Sequence, residues 1–522
     1  MPWFRISSFE GAGGINSDLA PHAIPPEVFT TANNVRFTDG ALEKAGGMTA
    51  QFGTPPIAPS YLLPTQTNSG AKRLFLANLT AIYSYISGSF SDVSRAVGGA
   101  YAADAKNAWT GGVLHGIPFL NDGASVPQAW DSSSIKFIDL PNWDSTYRCK
   151  ALRAFKNYMI ALNVTVSSTA YPHNVLWSHP ADPGSMPGTA GWDITNPTKD
   201  AGMAPISDTQ GHIVDGLGLA DNFVIYKETA TYLMQFIGAP NIFKFRPVLL
   251  ESGILGRNCA AAVMGQHAVL TTDDVVIFDG ASAKSIISRK LRRNLFAAIS
   301  VADYERSFVV ALPTLREVWF CISVVEGQLP SRAYVWNWQS NDWSVRDIPY
   351  TQSIAWGFAP DEVGDTWDSD SASWDSDNES WSAFATRGKT GLVAATNDTE
   401  IYTLGIGQTV NGTAFTAIAR HESFDFATKQ SPEHGDAVKH ISKLRPRILA
   451  DAGTVLYFRI GTQMHLNDNI TWTAPMAFTV GTTQELCLGV NGRYISWEIY
   501  STCDCTWRLE ALEMLVQGGG RF

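Results

Sequence analysis

One unit recurs along most of this chain: a short apolar-aromatic strand, a tight polar turn and a second alternating strand. Ala81-Ile-Tyr-Ser-Tyr85 turns at Ser87-Gly88-Ser89, and Gln128-Ala-Trp-Asp131 turns at 132–134. Val275-Val-Ile-Phe278 turns at Asp279-Gly280, and Tyr334-Val-Trp-Asn-Trp338 turns through 339–342 into Trp343-Ser-Val-Arg-Asp-Ile348. Looser copies surround 176–178, 223–236 and 401–404. The turn centres fall near 88, 132, 182, 229, 280, 340 and 404. Gaps of roughly 45–65 residues are close to the four-strand blade of a β-propeller. Helical periodicity is scarce, with short helices expected only at 289–298 and 100–108. The expectation is an all-β fold, a β-propeller of about six or seven blades. A generic β protein with irregularly spaced hairpins is the alternative.

The flanks read differently. Residues 1–60 are rich in Pro, Gly and Asn, with Pro25-Pro26 and Pro55-Pro56, and suggest an extended N-terminal docking arm with few strands. Residues 61–430 would be the propeller with insertions. Residues 436–522 alternate again, with candidate strands at 442–449, 455–460, 472–480, 485–488, 494–500 and 506–515. A small C-terminal β-sandwich is the natural reading.

Composition removes several function classes. Lys+Arg number 38 against 49 Asp+Glu in 522 residues, a net charge of −11, and that balance lacks the basic footprint of a nucleic-acid wrapper. Apolar residues make up 45%, too many for a disordered chain. There is no run of about 18 apolar residues, so membrane insertion is not expected. The first residues, Met1-Pro-Trp-Phe-Arg-Ile6, lack a signal-peptide core, which points to folding in a cytoplasm. Six cysteines make no disulfide scaffold. Cys149, Cys259 and Cys321 read as buried thiols, and Cys503-Asp-Cys505 lacks the partners of a zinc site.

No catalytic signature is present: no G-x-S-x-G, P-loop, H-E-x-x-H or G-x-G-x-x-G. The chain is expected not to be an enzyme and to need no cofactor or metal, so catalytic, cofactor and metal residues are all none. The segment 365–381 is unusual, with Trp367, Trp374 and Trp381 seven apart and Trp-Asp-Ser-Asp repeated. Asp375, Asp377 and Glu379 mimic part of a calcium loop, but Ser380 and Thr386 stand where Gly and Glu are needed. Stacking of sugars on the three rings is a second reading; tight Asx-type turns whose Trp rings cover a neighbouring strand are favoured. The dense basic run Arg289-Lys290-Leu291-Arg292-Arg293 makes Arg289, Lys290, Arg292 and Arg293 candidate subunit contacts, against a solvated helix face and, third, a grip on a phosphate backbone.

The N-terminal stretch carries a resemblance. Gly13-Gly14-Ile-Asn16-Ser-Asp-Leu19 and Asn33-Asn34-Val35-Arg36-Phe37-Thr-Asp39-Gly40, followed by Gly46-Gly47, resemble the opening of the tail nozzle proteins of short-tailed bacteriophages. These are also called tail tubular protein B or phage stabilisation proteins. Phe278-Asp-Gly280, Glu317-Val-Trp319, Asp342-Trp343-Ser, Gly492-Arg493-Tyr494 and Thr506-Trp507 resemble the same family in order, while 140–260 carry no resemblance. The resemblance implies a β-propeller and a structural virion protein, the distal ring of a short tail and a conduit for genome ejection. It implies a homohexamer contacting the tail adaptor and the fibres or spikes, and no catalytic residue. Double-stranded DNA would pass without specific binding, and assembly would occur in the host bacterial cytoplasm. A receptor-binding or glycan-degrading tail protein is the alternative. An acidic lumen would keep DNA moving, so residues 365–379, Asp273, Asp274 and Asp279 are candidates to face it, with the basic run turned away.

Overall fold

A computed structural model describes residues 3–66, 70–86, 88–106, 109–358, 389–426, 435 and 437–519. The segment 365–381 lies outside the described residues. The chain is all-β: among those residues only Arg292–Ala298 is α-helical.

Six four-stranded antiparallel units follow one another, each pairing its strands in sequence order; five are separate sheets, and the sixth is continuous with a larger sheet of the C-terminal region. Sheet one runs from Tyr61–Gln66 to Ser89–Asp92 and sheet two from Thr110–Leu114 to Lys136–Asp139. Sheet three runs from Tyr147–Phe155 to Gly202–Pro205 and sheet four from Ile213–Leu219 to Phe243–Leu249. Sheet five runs from Ala260–Val263 to Ala283–Ser285 and sheet six from Phe308–Leu312 to Trp343–Asp347. Sheet seven contains Thr351–Phe358, Lys389–Ala395 and Glu400–Leu404, and takes its fourth strand, Met48–Ala50, from the N-terminal region. The first strand of each sheet lies beside the first strand of the next, and Thr351–Phe358 lies against Tyr61–Gln66.

The side chains explain this stacking. Glu317–Ile322 is buried at every position, because its two faces meet different neighbours. Trp319 packs with Val393 and Tyr402 of sheet seven, whereas Val318 and Phe320 join the large core shared with sheets four and five. Phe75 packs with Trp130 and Phe137 across sheets one and two, and Phe155 and Ile160 pack with Phe223 and Ile225 across sheets three and four.

Two further sheets hold the C-terminal region. In one, Arg508–Gly518 lies between Lys439–Leu449 on one side and both Trp3–Ser7 and Ala41–Lys44 on the other. In the other, Ala417–Phe424, Tyr494–Ser501 and Val455–Gln463 are neighbours, and Thr31–Asn33 links them to sheet six. Leu444, Leu512 and Met514 of the first share a core with Phe458, Ile495 and Trp497 of the second.

Three expectations change. The first 60 residues hold five strands rather than a free arm. Ala32, Val35, Phe37, Leu42 and Met48 are buried, and that burial draws the segment into three sheets. The stretch expected as a helix at 100–108 is not helical in its described residues, since Tyr101 and Ala103 donate their N–H groups to Thr80 and Leu79. The 289–298 helix starts only at Arg292, because Leu291 caps it at a non-helical φ of −133° and Arg289 stands at φ +60°. Cys149, Cys259 and Cys321 are buried thiols, while Cys503 and Cys505 form a disulfide across a two-residue step, which the cysteine spacing had not suggested.

Candidate functional site

The residues carrying the sequence resemblance come from the start, middle and end of the chain, and many of them meet at one junction. Sheet six borders the N-terminal segment there. Gly14 has φ +69° and bridges to Trp343, and a Cβ on it would stand 2.2 Å from the Trp343 carbonyl oxygen. Only glycine fits that approach. The Asp342 carboxylate accepts the N–H groups of Gly11 and Gly13 at 2.7 Å each. Burial pushes this carboxyl upward, opposed by those hydrogen bonds and by Lys290. The Trp343 indole is fully buried, stacks on Phe320 at 5.8 Å and donates to the Ile286 carbonyl at 3.2 Å.

A second set of bolts lies alongside. Asn34, at φ +57°, donates to Asp347 at 2.9 Å and accepts the Asp347 N–H at 2.9 Å. Arg36 reaches the Glu317 carboxylate at 2.7 Å, and the other Glu317 oxygen accepts the Trp319 indole N–H at 2.8 Å. Arg346 lies over the Trp319 ring and donates to the Gly46 carbonyl. Burial lowers its guanidinium to about 10. Gly47 admits Thr409, whose oxygen would stand 2.3 Å from an added Cβ. Trp507 donates to Ser501 at 2.7 Å, and its carbonyl accepts the Lys44 N–H. The spacing of Asp342, Glu317 and Asp347 gave no sign of these roles, because each partner lies about 300 residues away.

Other motif residues serve locally. Asn16 caps the N–H groups of Asp18 and Leu19, and Gly40 (φ +79°) and Gly280 (φ +96°) make turns. Gly492, Arg493 and Tyr494 form the corner between two C-terminal strands, where the Arg493 carbonyl accepts the buried Lys439 ammonium at 2.6 Å. The basic run is largely exposed, yet three of its cations find partners within the chain. Lys290 donates to the Asn341 carbonyl at 2.8 Å, and Arg293 engages Asp18. Arg292 pairs with Asp273 at 3.1 Å, while Arg289 is exposed. That pair corrects the channel expectation: Asp273 and Arg292 sit side by side and cannot face opposite ways. Asp274 and Asp279 cap their own turns.

A cavity of about 260 Å³ lies among first strands, lined by Leu62, Arg153, Leu217, Ala260, Val309 and Ile354. Its polar end is a buried fork: Arg153 Nε and Nη2 donate to the two Asp215 oxygens at 2.9 and 2.6 Å. Arg153 Nη2 also donates to Asn258 at 2.7 Å, and the Asn258 N–H returns to Asp215 at 2.8 Å. Such a satisfied pair fixes three neighbouring sheets in register. The loop between sheets one and two reaches across: Lys106 donates to the Ala302 carbonyl, and Ala105 accepts from both Arg306 and Gln352.

Among the described residues no group of three or more His, Cys, Asp or Glu side chains could hold a metal ion, and no helix is long and apolar enough to cross a membrane. No known family matches the chain, and no curated protein matches it. Among solved structures, it is similar to the extracellular domain of the putative hybrid two component system BT4673 from B. thetaiotaomicron, at 11% identity and a TM-score of 0.33. That match covers 56% of this chain, which spans 37% of the other.

Proposed function

We propose that this chain is a structural virion protein forming the distal ring, or nozzle, of a short bacteriophage tail, with no catalytic role. The observation that carries the reading is the junction: phrases resembling that family at 13–19, 33–47, 317–319 and 342–344 are the residues that lock the N-terminal segment onto sheet six. Residues that make such locks belong to a scaffold. The seven stacked sheets support a seven-bladed β-propeller closed by Met48–Ala50, and the two C-terminal sheets support a β-sandwich completed by N-terminal strands.

In this reading DNA does not run through the axis of one subunit, where the Arg153–Asp215–Asn258 network and the 93–106 loop stand. It runs between subunits, in the bore of a homohexamer that also contacts the tail adaptor and the fibres or spikes. The basic run, three of whose four cations already have partners within the chain, leaves Arg289 as its contribution to a neighbour. Native mass spectrometry of the purified protein and electron microscopy of virions test the proposal. Six-fold particles and a six-fold ring at the tail tip are expected. A monomer at every concentration, with no such ring on virions, would sink it.

A further inference from the structure

An open groove of about 600 Å³ lies between the N-terminal loop at Pro21 and His22 and the C-terminal strands Ala417–Phe424 and Val455–Gln463. Trp472 is its aromatic wall. Arg420 and Arg459 place their guanidinium groups over the indole, 5.3 and 5.2 Å from the ring centroid. Both cations stand in register with Glu498, on the strand between theirs. That carboxylate is almost fully buried and accepts Arg420 Nε at 2.7 Å and Arg459 Nη1 at 3.3 Å. The indole is therefore held by a fixed Arg–Glu–Arg row, and little side-chain freedom is lost when a ligand meets it.

Around this plate the polar groups are of mixed type. The Glu422 carboxylate is about one-third exposed and touches Arg420 through one oxygen at 3.4 Å. Asp468 uses one oxygen for the His465 N–H at 2.8 Å. Asn469 and His22 also line the groove. Beneath them Ser423 donates to Gln463 at 2.7 Å, and Gln463 donates to the Asp468 carbonyl, which holds the 465–469 loop in place.

An anchored aromatic face ringed by carboxylates and an amide matches a pyranose ring, which has an apolar C–H face and a rim of hydroxyls. Carboxylates accept from hydroxyls, and the amide both donates and accepts. Acidic sugars fit poorly: Glu422 and Asp468 face the groove, and the guanidinium charges are engaged by Glu498 and Glu422. We propose that this groove binds uncharged sugar units of a polysaccharide. The site is independent of the nozzle reading and stands or falls separately.

Calorimetric titration of the full chain with maltohexaose, cellohexaose and chitohexaose tests it, with polygalacturonate as the anionic contrast. At least one neutral oligosaccharide should bind, and Trp472→Ala should weaken it about tenfold. Asn469→Ala, on an exposed loop, should weaken it several-fold with an unchanged melting temperature. No heat with any neutral probe up to about 10 mM would overturn the proposal. So would unchanged binding in both variants, or equal binding of polygalacturonate.

Discussion

Removing the Trp343 indole would empty a fully buried site, strip a ring from Phe320 and leave the Ile286 carbonyl without its donor. Trp343→Ala should therefore cost about 3–5 kcal/mol, read as a lower midpoint in denaturant melts. Gly14→Ala acts on the same contact from the other side. Its φ of +69° and the 2.2 Å approach leave no room for a methyl group, so it should also destabilise without touching any surface. His421 makes a pH-dependent contribution. Its Nδ1–H donates to the Val28 carbonyl at 2.6 Å, the ring stacks on Trp497 at 4.3 Å, and Nε2 has no partner. Burial pushes the imidazole down to about 4. The unfolded chain takes up this proton near pH 6.5 and the folded chain resists it. This contribution is thus full above pH 6.5, falls by roughly 3 kcal/mol as pH drops to about 4, and is flat below. His421→Gln should remove that slope from a series of urea melts across the window.

At the level of elements, the strands were mostly legible because alternation is a local signal. Of the seven expected turn centres, those near 88, 132, 182, 280 and 340 separate the third and fourth strands of a sheet. The one near 229 separates a second strand from a third. The one near 404 is loose for a physical reason: Met48–Ala50 takes the place beside Glu400–Leu404, and the strand that follows in sequence, only Thr409–Val410, pairs on its far side. The N-terminal segment misled because Gly and Pro mark turns whether or not the intervening triplets pair, and strands such as Thr31–Asn33 are too short to show a period. The junction's charged partners were invisible because long-range pairing leaves no spacing in sequence. Residues 31–50 should now resist proteases as well as the sheets do. Mass spectrometry of limited digests checks this: early cleavage within 31–50 would contradict the pairing. Deleting residues 1–50 should expose the edge at Glu400–Leu404 and yield aggregated protein.

For the whole molecule, charge is unevenly placed. Eight acids and one arginine lie between 361 and 388, so more than half of the net −11 sits in that stretch. Residues 437–519 are close to neutral by comparison. A hexamer would carry about −66, enough to keep duplex DNA from adhering at physiological salt. Filter binding should detect no duplex affinity for the native protein. Changing the acids of 361–379 to Lys should create binding that weakens steeply with added salt.

The pairing of Trp3 with Leu515 has a consequence for how the molecule comes into being. Residues 3–7 leave the ribosome about 500 residues before the strand they join. At ~5–20 residues per second, that is a wait of roughly 25–100 s. During it the sheets can stack one after another from sheet one onward. The seventh sheet lacks nothing but a strand made long before, and the outermost sheet still has no partner for its oldest segment. Vectorial synthesis thus delivers a nearly complete body in which Met48–Ala50 is stitched in once Glu400–Leu404 has emerged, and Trp3–Ser7 only once 511–515 have followed.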